Sequence, residues 1–322
     1  MLDRILTVRV ERIVRETAEI SSFELVHPRG RALPGYSPGS HIDVHLPGGF
    51  MRPYSLARAA PAETEVGAYL IGVKHEAASR GGSASLHQRV AAGDLLAIGA
   101  PRNTFAIDRG ARRHLLLGGG IGITPLLAMA QQLVRERADV ELCVFARSRE
   151  HLAFAHALAD PALADHVRLN FDAPDAASKI DLAGLLAAPE PATALYLCGP
   201  GGFMQAVRAA ARDWPEDRLH LEYFAAPESG VDAGSDRAFT LHLARRGIAV
   251  EVAADQTAVQ ALHELGIDVP TSCEQGICGT CVVGFSAGEP QHRDFCLSAG
   301  ERRHKLALCC SRADTAALTV DL

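Results

Sequence analysis

The chain has 322 residues, enough for two or three domains. Its 48% hydrophobic and 22% charged residues are those of a globular protein, and a net charge of −6 leaves no basic footprint, which argues against nucleic acid as a partner. Eight cysteines, with no apolar leader behind the charged start Met1-Leu2-Asp3-Arg4, predict a reducing cytoplasm in which thiols serve as ligands rather than disulfides.

Residues 1–109 are expected to form a β-rich domain. Leu6-Thr7-Val8-Arg9-Val10 alternates, Phe23 to Val26 follows, and His41 to Leu46 alternates again before Pro47-Gly48-Gly49. Further strands fit Tyr54 to Leu56, Ala68 to Val73 and Leu95 to Ile98; many short strands with Gly/Pro turns predict a small closed antiparallel barrel. Arg52-Pro53-Tyr54-Ser55-Leu56 puts a cation, an aromatic and a hydroxyl on one strand, with Arg52 on the face of Tyr54. Tyr54 can pack on a flat ring, Ser55 can hydrogen-bond it, and Arg52 can meet a phosphate. Ser79-Arg80-Gly81-Gly82-Ser83-Ala84-Ser85 leads into a short helix and makes a second anion site. Taken alone, each stretch is equally compatible with ordinary strand and turn chemistry.

Residues 110–226 alternate strand and helix, which implies a parallel sheet covered on both faces. The expected strands are Arg113 to Leu117, Val140 to Ala146, His166 to Phe171, Ala194 to Leu197 and Leu219 to Tyr223. Helices fit Pro125 to Arg137, His151 to Leu158, a stretch near Leu182, and Gly202 to Arg212. The uncharged run His114 to Val134 is long enough to raise a membrane span, but the glycines at its centre make it strand, turn and helix. Gly118-Gly119-Gly120-Ile121-Gly122-Ile123-Thr124-Pro125 suits a pyrophosphate at a helix start, with Thr124 as N-cap and Pro125 at the first helical position. It is not the Rossmann fingerprint, since Ile123 stands where the third glycine belongs; a turn that merely closes a strand–helix unit would look similar. Arg147 ends the second strand, where a ribose-binding acid is common and where arginine can take a 2′-phosphate. Cys198-Gly199-Pro200 ends the fourth strand, at the edge where ligands bind, although a buried structural cysteine is the commoner case.

Residues 227–236 form a Gly/Pro/acid linker, and 237–322 a small unit of their own. It opens with alternating runs Phe239 to Ala244 and Ile248 to Ala253, then a helix Thr257 to Leu265 stopped by Gly266. Cys273, Cys278 and Cys281 then give C-x4-C-x2-C, the plant-type spacing for a 2Fe–2S cluster closed by a distant fourth cysteine. Four soft thiolates suit two sulfide-bridged irons, and Gly276 and Gly279 let the backbone turn past them. A redox dithiol needs no third cysteine upstream, and a zinc site would show a second C-x2-C or a His pair, which the chain lacks.

With these motifs in this order, the chain resembles the phthalate dioxygenase reductase family, the single-chain reductases of two-component Rieske oxygenases, among which are the vanillate demethylase reductases. Arg52-Pro53-Tyr54-Ser55-Leu56 is similar to the family's R-x-Y-S-L flavin motif, and Arg80-Gly81-Gly82-Ser83 to its R-G-G-S phosphate segment, the mark of FMN members. Gly119 to Pro125 matches its nicotinamide turn, Cys198-Gly199-Pro200 its C-G-P, Glu222-Tyr223-Phe224 its E-x-F, and Cys309-Cys310-Ser311-Arg312 its closing C-V-S-R.

The resemblance implies an FMN barrel, an α/β NAD domain and a β-grasp ferredoxin domain. FMN contacts would come from Arg52, Tyr54, Ser55, Val73, Lys74, Gly81, Gly82, Ser83 and Ser85. NADH contacts would come from Gly120, Gly122, Thr124, Arg147, Cys198, Gly199 and Pro200. The family's usual NADH preference weakens the 2′-phosphate reading of Arg147. Catalytic roles fall to Ser55, beside the reacting flavin nitrogen, and to Phe224, covering the ring. Tyr223 stands where smaller residues are common. Cys309 is the fourth ligand, on a strand whose other side takes Cys310, while Cys296 is spare.

Electrons would pass from NADH through FMN and the cluster to a separate terminal oxygenase acting on an aromatic acid, a methoxy-aromatic or a similar small substrate. That oxygenase would dock near exposed Glu274, Gln275 and Ile277, and the reductase would be a monomer with no membrane partner. Two other readings are a reductase for a di-iron acceptor and an iron–sulfur redox sensor without hydride chemistry.

Overall fold

The structure, a computed structural model, describes residues 5–60, 65–76, 81–172, 179–226, 236–298 and 300–322. Arg80 and nearly all of the expected linker lie outside the described residues. Two compact units result, Met1–Phe224 and Ala225–Leu322.

The first unit begins with β1 (Ile5–Arg15), β2 (Ile20–Val26), β3 (Leu33–Pro34), β4 (Ser40–Leu46) and β5 (Phe50–Ser55). β6 (Glu65–Val66), β7 (Ala68–Lys74), the helix α1 (Gly82–Arg89), β8 (Leu95–Gly99) and β9 (Arg102–Asn103) follow. The main antiparallel sheet runs β5-β4-β8-β1-β2-β7, with β9 on β4. Alternation sets its faces: Ile42 and Val44 enter the core with Val8, Val10, Leu25 and Ile98, which turns His41 and Asp43 to the other side. The end strands β5 and β7 meet through one bridge, Leu56 to Ile71, and the bond from Ala57 N–H to Leu70 O at 2.8 Å. The expected closed barrel is therefore nearly closed. Pro53 in β5 has no N–H to offer a further ladder.

The second layer of this unit is β10 (Arg113–Gly119), α2 (Ile123–Arg135), β11 (Asp139–Ala146), α3 (Ala155–Leu158), β12 (Val167–Phe171), α4 (Leu182–Leu186), β13 (Thr193–Cys198), α5 (Gly201–Ala210) and β14 (Leu219–Glu222). All strands are parallel in the order β12-β11-β10-β13-β14, and β13 is buried along its whole length, as a strand covered on both faces must be. The uncharged run His114 to Val134 is thus strand, turn and helix, and among the described residues no helix is long and apolar enough to cross a membrane. The helix expected from His151 contracts to Ala155–Leu158, because Phe154 just before it is left-handed (φ 56°). Thr124 is not the N-cap: a 3-10 turn, Gly120–Gly122, feeds directly into α2, which starts at Ile123. The Thr124 hydroxyl instead donates to Ile121 O at 3.0 Å.

Barrel and parallel sheet are keyed together at Gly72. A Cβ there would lie 2.8 Å from both Phe154 Cζ and Thr124 Cγ2, closer than any packed side chain tolerates. The β1–β2 turn adds polar ties, with Phe154 N–H donating to Glu16 Oε2 at 3.1 Å.

The second unit contains β15 (Phe239–Leu243), β16 (Ile248–Val252), α6 (Ala258–Glu264), β17 (Val282–Ala287), β18 (Pro290–Gln291), β19 (Lys305–Ala307), β20 (Arg312–Ala313) and β21 (Ala317–Val320). Its mixed sheet runs β16-β15-β21-β17-β19, with β15 parallel to β21 and α6 packing Leu262 into the core. α6 begins at a capping box between Thr257 and Gln260, and Gly266 after it is left-handed (φ 70°), the expected stop.

Candidate functional site

Two of the three sites suggested by the sequence adjoin each other in the first unit. β5 delivers Ser55 to its buried end, where the Oγ donates to Glu222 Oε2 at 3.1 Å. Glu222 closes β14 and pairs in register with Cys198 at the end of β13, which pairs in turn with Gly118. Glu222 is half-buried but densely surrounded by protein, and this desolvation pushes its carboxyl up to about 8 against the pull of the Ser55 hydrogen bond. Burial, and then the neighbouring Glu222, hold the Cys198 thiol well above its ordinary value, so it stays a neutral lining group. Phe224, two residues on, is 38% exposed, unusual for so large an apolar ring. Tyr223 is buried, and its hydroxyl accepts from Arg208 Nη1 at 3.3 Å.

The nucleotide turn needs its glycines for steric reasons. A Cβ on Gly122 would fall 2.3 Å from Cys198 O, and one on Gly199 would strike Phe203 at 2.6 Å and Gly119 Cα at 3.1 Å. The two loops therefore lie backbone against backbone, placing Gly120, Gly122 and the start of α2 beside Gly199 and Pro200 at the carboxyl ends of central parallel strands. That edge is where dinucleotides bind, and the helix start favours their phosphates. Arg147, at the end of β11, is ion-paired with Glu19 at 2.9 Å.

The residues expected to hold a flavin phosphate gather around α1. A Cβ on Gly82 would meet Arg52 Cγ at 2.7 Å, and one on left-handed Gly81 would enter the Phe50 ring. The helix start is thereby pressed onto β5. Among the described residues the Arg52 guanidinium makes one hydrogen bond, from Nη1 to Met51 O at 2.7 Å, and its Cζ lies 5.8 Å from the Phe50 ring centre. A cation without an acidic partner among the described residues, beside backbone N–H groups of a helix start, fits a phosphate. Ser83 accepts from Glu76 N–H at 3.2 Å, and Lys74 pairs with the Glu76 carboxylate at 2.8 Å, so both flank the same rim. Ser85 is turned away: its hydroxyl donates to Pro47 O at 2.6 Å. Val73 is buried, with its carbonyl 3.0 Å from His87 Nε2. Tyr54 packs against the barrel core beside them.

In the second unit the loop 273–281 curls through left-handed Glu274 (φ 55°), Gly276 and Gly279 (both 73°). Cys273, Cys278, Cys281 and Cys309 are all buried, and their thiols converge: Cys273 meets Cys278 and Cys309, and Cys281 meets Cys309. Backbone N–H groups point at the sulfurs, Gly276 to Cys309 at 3.2 Å and Gln275 to Cys273 at 3.4 Å. Among the described residues no group of three or more His, Cys, Asp or Glu side chains fits a single metal ion. A binuclear cluster asks for something else, two pairs of thiolates with amide donors around the sulfurs, and the four thiols supply it.

Two expectations are corrected here. Cys309 and Cys310 lie in a turn after β19, not in a strand, so alternation does not apply. Cys310 Sγ accordingly comes back to the loop, 2.5 Å from where a Gly276 Cβ would be. Cys296 Sγ is 3.9 Å from the corresponding Gly279 position, so it borders the cluster loop. On the surface, Glu274 is exposed as expected, whereas Gln275 and Ile277 are half-buried. Sequence reasoning overlooked Glu222 as a site residue. Its place at the carboxyl end of the last expected parallel strand was the available signal.

Comparisons with known proteins agree with this geometry. The family described as 2Fe-2S iron-sulfur cluster binding domain matches residues 241–314. The vanillate O-demethylase oxidoreductase of Pseudomonas sp. (strain HR199 / DSM 7063) is 46% identical over 309 residues, 94% of this chain and 96% of that one. A solved structure of phthalate dioxygenase reductase, described as a modular structure for electron transfer from pyridine nucleotides to [2Fe-2S], is 34% identical with a TM-score of 0.72, covering 99% of this chain and 98% of its own. An intact type IV self-sufficient cytochrome P450 monooxygenase is 38% identical with a TM-score of 0.88; this chain is covered to 99% but spans only 41% of that protein. The chain belongs to the phthalate dioxygenase reductase family, the oxidoreductases that serve oxygenase systems by moving electrons through a flavin and a 2Fe–2S centre.

Proposed function

We propose that this protein is the NADH-dependent, FMN-carrying reductase of a separate Rieske-type oxygenase that acts on an aromatic acid or a methoxy-aromatic compound. The observation that carries the reading is the meeting of Ser55, Glu222 and Cys198, where the flavin strand and the nicotinamide loops share one buried corner. The likeness to a vanillate O-demethylase oxidoreductase favours the substrate class. A haem oxygenase as acceptor is the second reading, favoured by the likeness to part of the self-sufficient P450. The working boundaries are 1–109 for the flavin domain, 110–226 for the NAD domain and 237–322 for the ferredoxin domain.

In this reading Gly120, Gly122, Thr124 and the start of α2 hold the pyrophosphate of NADH, and Cys198, Gly199 and Pro200 wall the nicotinamide. Arg52, Gly81, Gly82 and Ser83 take the flavin phosphate, with Lys74 at the rim. Tyr54 packs on the ring, and Val73 and Ser85 shape the strand and helix beneath it. Ser55 and Glu222 fix a proton between Oγ and Oε2. Phe224 covers the ring until nicotinamide arrives. A bound flavin supplies conversion between a two-electron donor and one-electron carriers. Cys273, Cys278, Cys281 and Cys309 would hold the 2Fe–2S cluster, which would supply one-electron chemistry.

The test is cofactor extraction followed by anaerobic NADH titration of the purified protein and of Cys273→Ser. Released FMN, with flavin and cluster absorption both bleached, is the expected result. The variant should keep flavin bleaching and lose oxygenase turnover. Full turnover by Cys273→Ser, or a cluster spectrum without flavin, would overturn the proposal.

A further inference from the structure

Arg147 follows β11, where an arginine can meet a 2′-phosphate, and the structure shows it already engaged. Its Nη2 lies 2.9 Å from Glu19 Oε2, a contact between residues 128 apart in sequence, one closing β11 and the other in the β1–β2 turn of the barrel. Glu19 is held in place by its backbone: its N–H donates to Thr17 Oγ1 at 3.2 Å, and its carbonyl accepts from His75 N–H at 2.7 Å. The loop carrying Arg147 is tied to the same turn a second time, through Phe154 N–H and Glu16 Oε2 at 3.1 Å. Glu16 is itself fixed by the Ser22 hydroxyl at 2.7 Å. The carboxylate is thus presented to Arg147 by a turn locked onto its loop. The other arginine of that loop, Arg149, lies with its Cζ 5.4 Å from the Phe171 ring centre.

The two nucleotides differ by one 2′-phosphate on the adenosine ribose. An arginine fork matches a phosphate well, and an arginine after the second strand of such a sheet commonly receives it. Here the fork faces a carboxylate. A 2′-phosphate would have to displace Glu19 and then sit beside its charge, whereas a 2′-hydroxyl leaves the pair intact.

We propose that the Glu19–Arg147 ion pair makes the protein selective for NADH, by occupying the arginine that would otherwise receive a 2′-phosphate. This rests on the nucleotide site described above. Both partners are substantially exposed, 60% for Arg147 and 43% for Glu19, so the effect has the modest size of a solvent-screened pair, roughly five-fold.

The test is calorimetric binding of 2′,5′-ADP and of 5′-ADP to the flavin- and cluster-loaded protein, with the NADPH/NADH ratio of kcat/KM measured alongside. In Glu19→Gln, affinity for 2′,5′-ADP should rise about five-fold. Affinity for 5′-ADP should stay unchanged, and the NADPH/NADH ratio should rise in step. Adding Arg147→Ala should erase the gain. No gain for 2′,5′-ADP while 5′-ADP binds normally would overturn the ion-pair proposal and leave the nucleotide site standing. A gain that persists without Arg147 would also overturn it. If neither analogue binds the wild-type protein, the site itself is misplaced and the proposal falls with it.

Discussion

Ser55 and Glu222, 167 residues apart, share a hydrogen bond of 3.1 Å that ties the last residue of a barrel strand to the last residue of a parallel strand. The pair includes a half-buried carboxyl that takes up a proton near neutral pH.

Glu222 titrates at about 8 in the folded protein, against an ordinary 4.5, because the protein around it desolvates it. Folding therefore takes up a proton between these values, so stability falls as pH climbs from about 4.5 to about 8 and levels off above. Glu222→Gln keeps the shape without the charge. It should melt like the wild type near pH 5 and be more stable above pH 8, by on the order of a few kcal/mol. Thermal denaturation across that range is the check, and parallel curves for the two proteins would count against the desolvated acid.

Gly122→Ala places a methyl 2.3 Å from the Cys198 carbonyl oxygen and must push two loops apart. NADH should bind at least about ten-fold more weakly, a loss of about 1.4 kcal/mol, while flavin content stays at the wild-type level. Equilibrium titration with NADH, beside a flavin assay, measures both.

Adjacent cysteines should behave oppositely. Cys309→Ser removes a thiol that meets both Cys273 and Cys281, and iron content and visible cluster absorption should collapse. Cys310→Ser should retain both. Equal loss in the two variants would reverse the ligand assignment.

Gly72→Ala should destabilise the first unit by about 1–3 kcal/mol, since the added methyl overpacks against Phe154 and Thr124. Combining it with Thr124→Ser, which deletes one of the colliding atoms, should cost less than the two single changes summed. Denaturant midpoints of the three variants decide the matter.

What was legible in the sequence was whatever depends on local spacing. The cysteine loop and the nucleotide turn are each written within a dozen residues, and the structure keeps both at the expected edges. The strand–helix rhythm likewise followed from periodicity. Errors arose where geometry changes between neighbours. Strand alternation fails at Cys310, which lies in a turn, and the cap expected at Thr124 is displaced because the short helical turn before it leaves no apolar signature. Relationships across the fold were invisible. Nothing near Arg147 announces Glu19, and nothing near Gly72 announces Phe154, because each partner is brought in by tertiary packing.

The order of strands in the second unit bears on how the protein is made. β21 follows all four proposed ligand cysteines in the chain, yet it lies between β15 and β17, parallel to the first and antiparallel to the second. During synthesis the thiols therefore leave the ribosome before the strand that closes the sheet around their loop, at a pace of about 5–20 residues per second. Until Ala317–Val320 arrives, the β15–β16 and β17–β19 pairs lack the strand that lies between them.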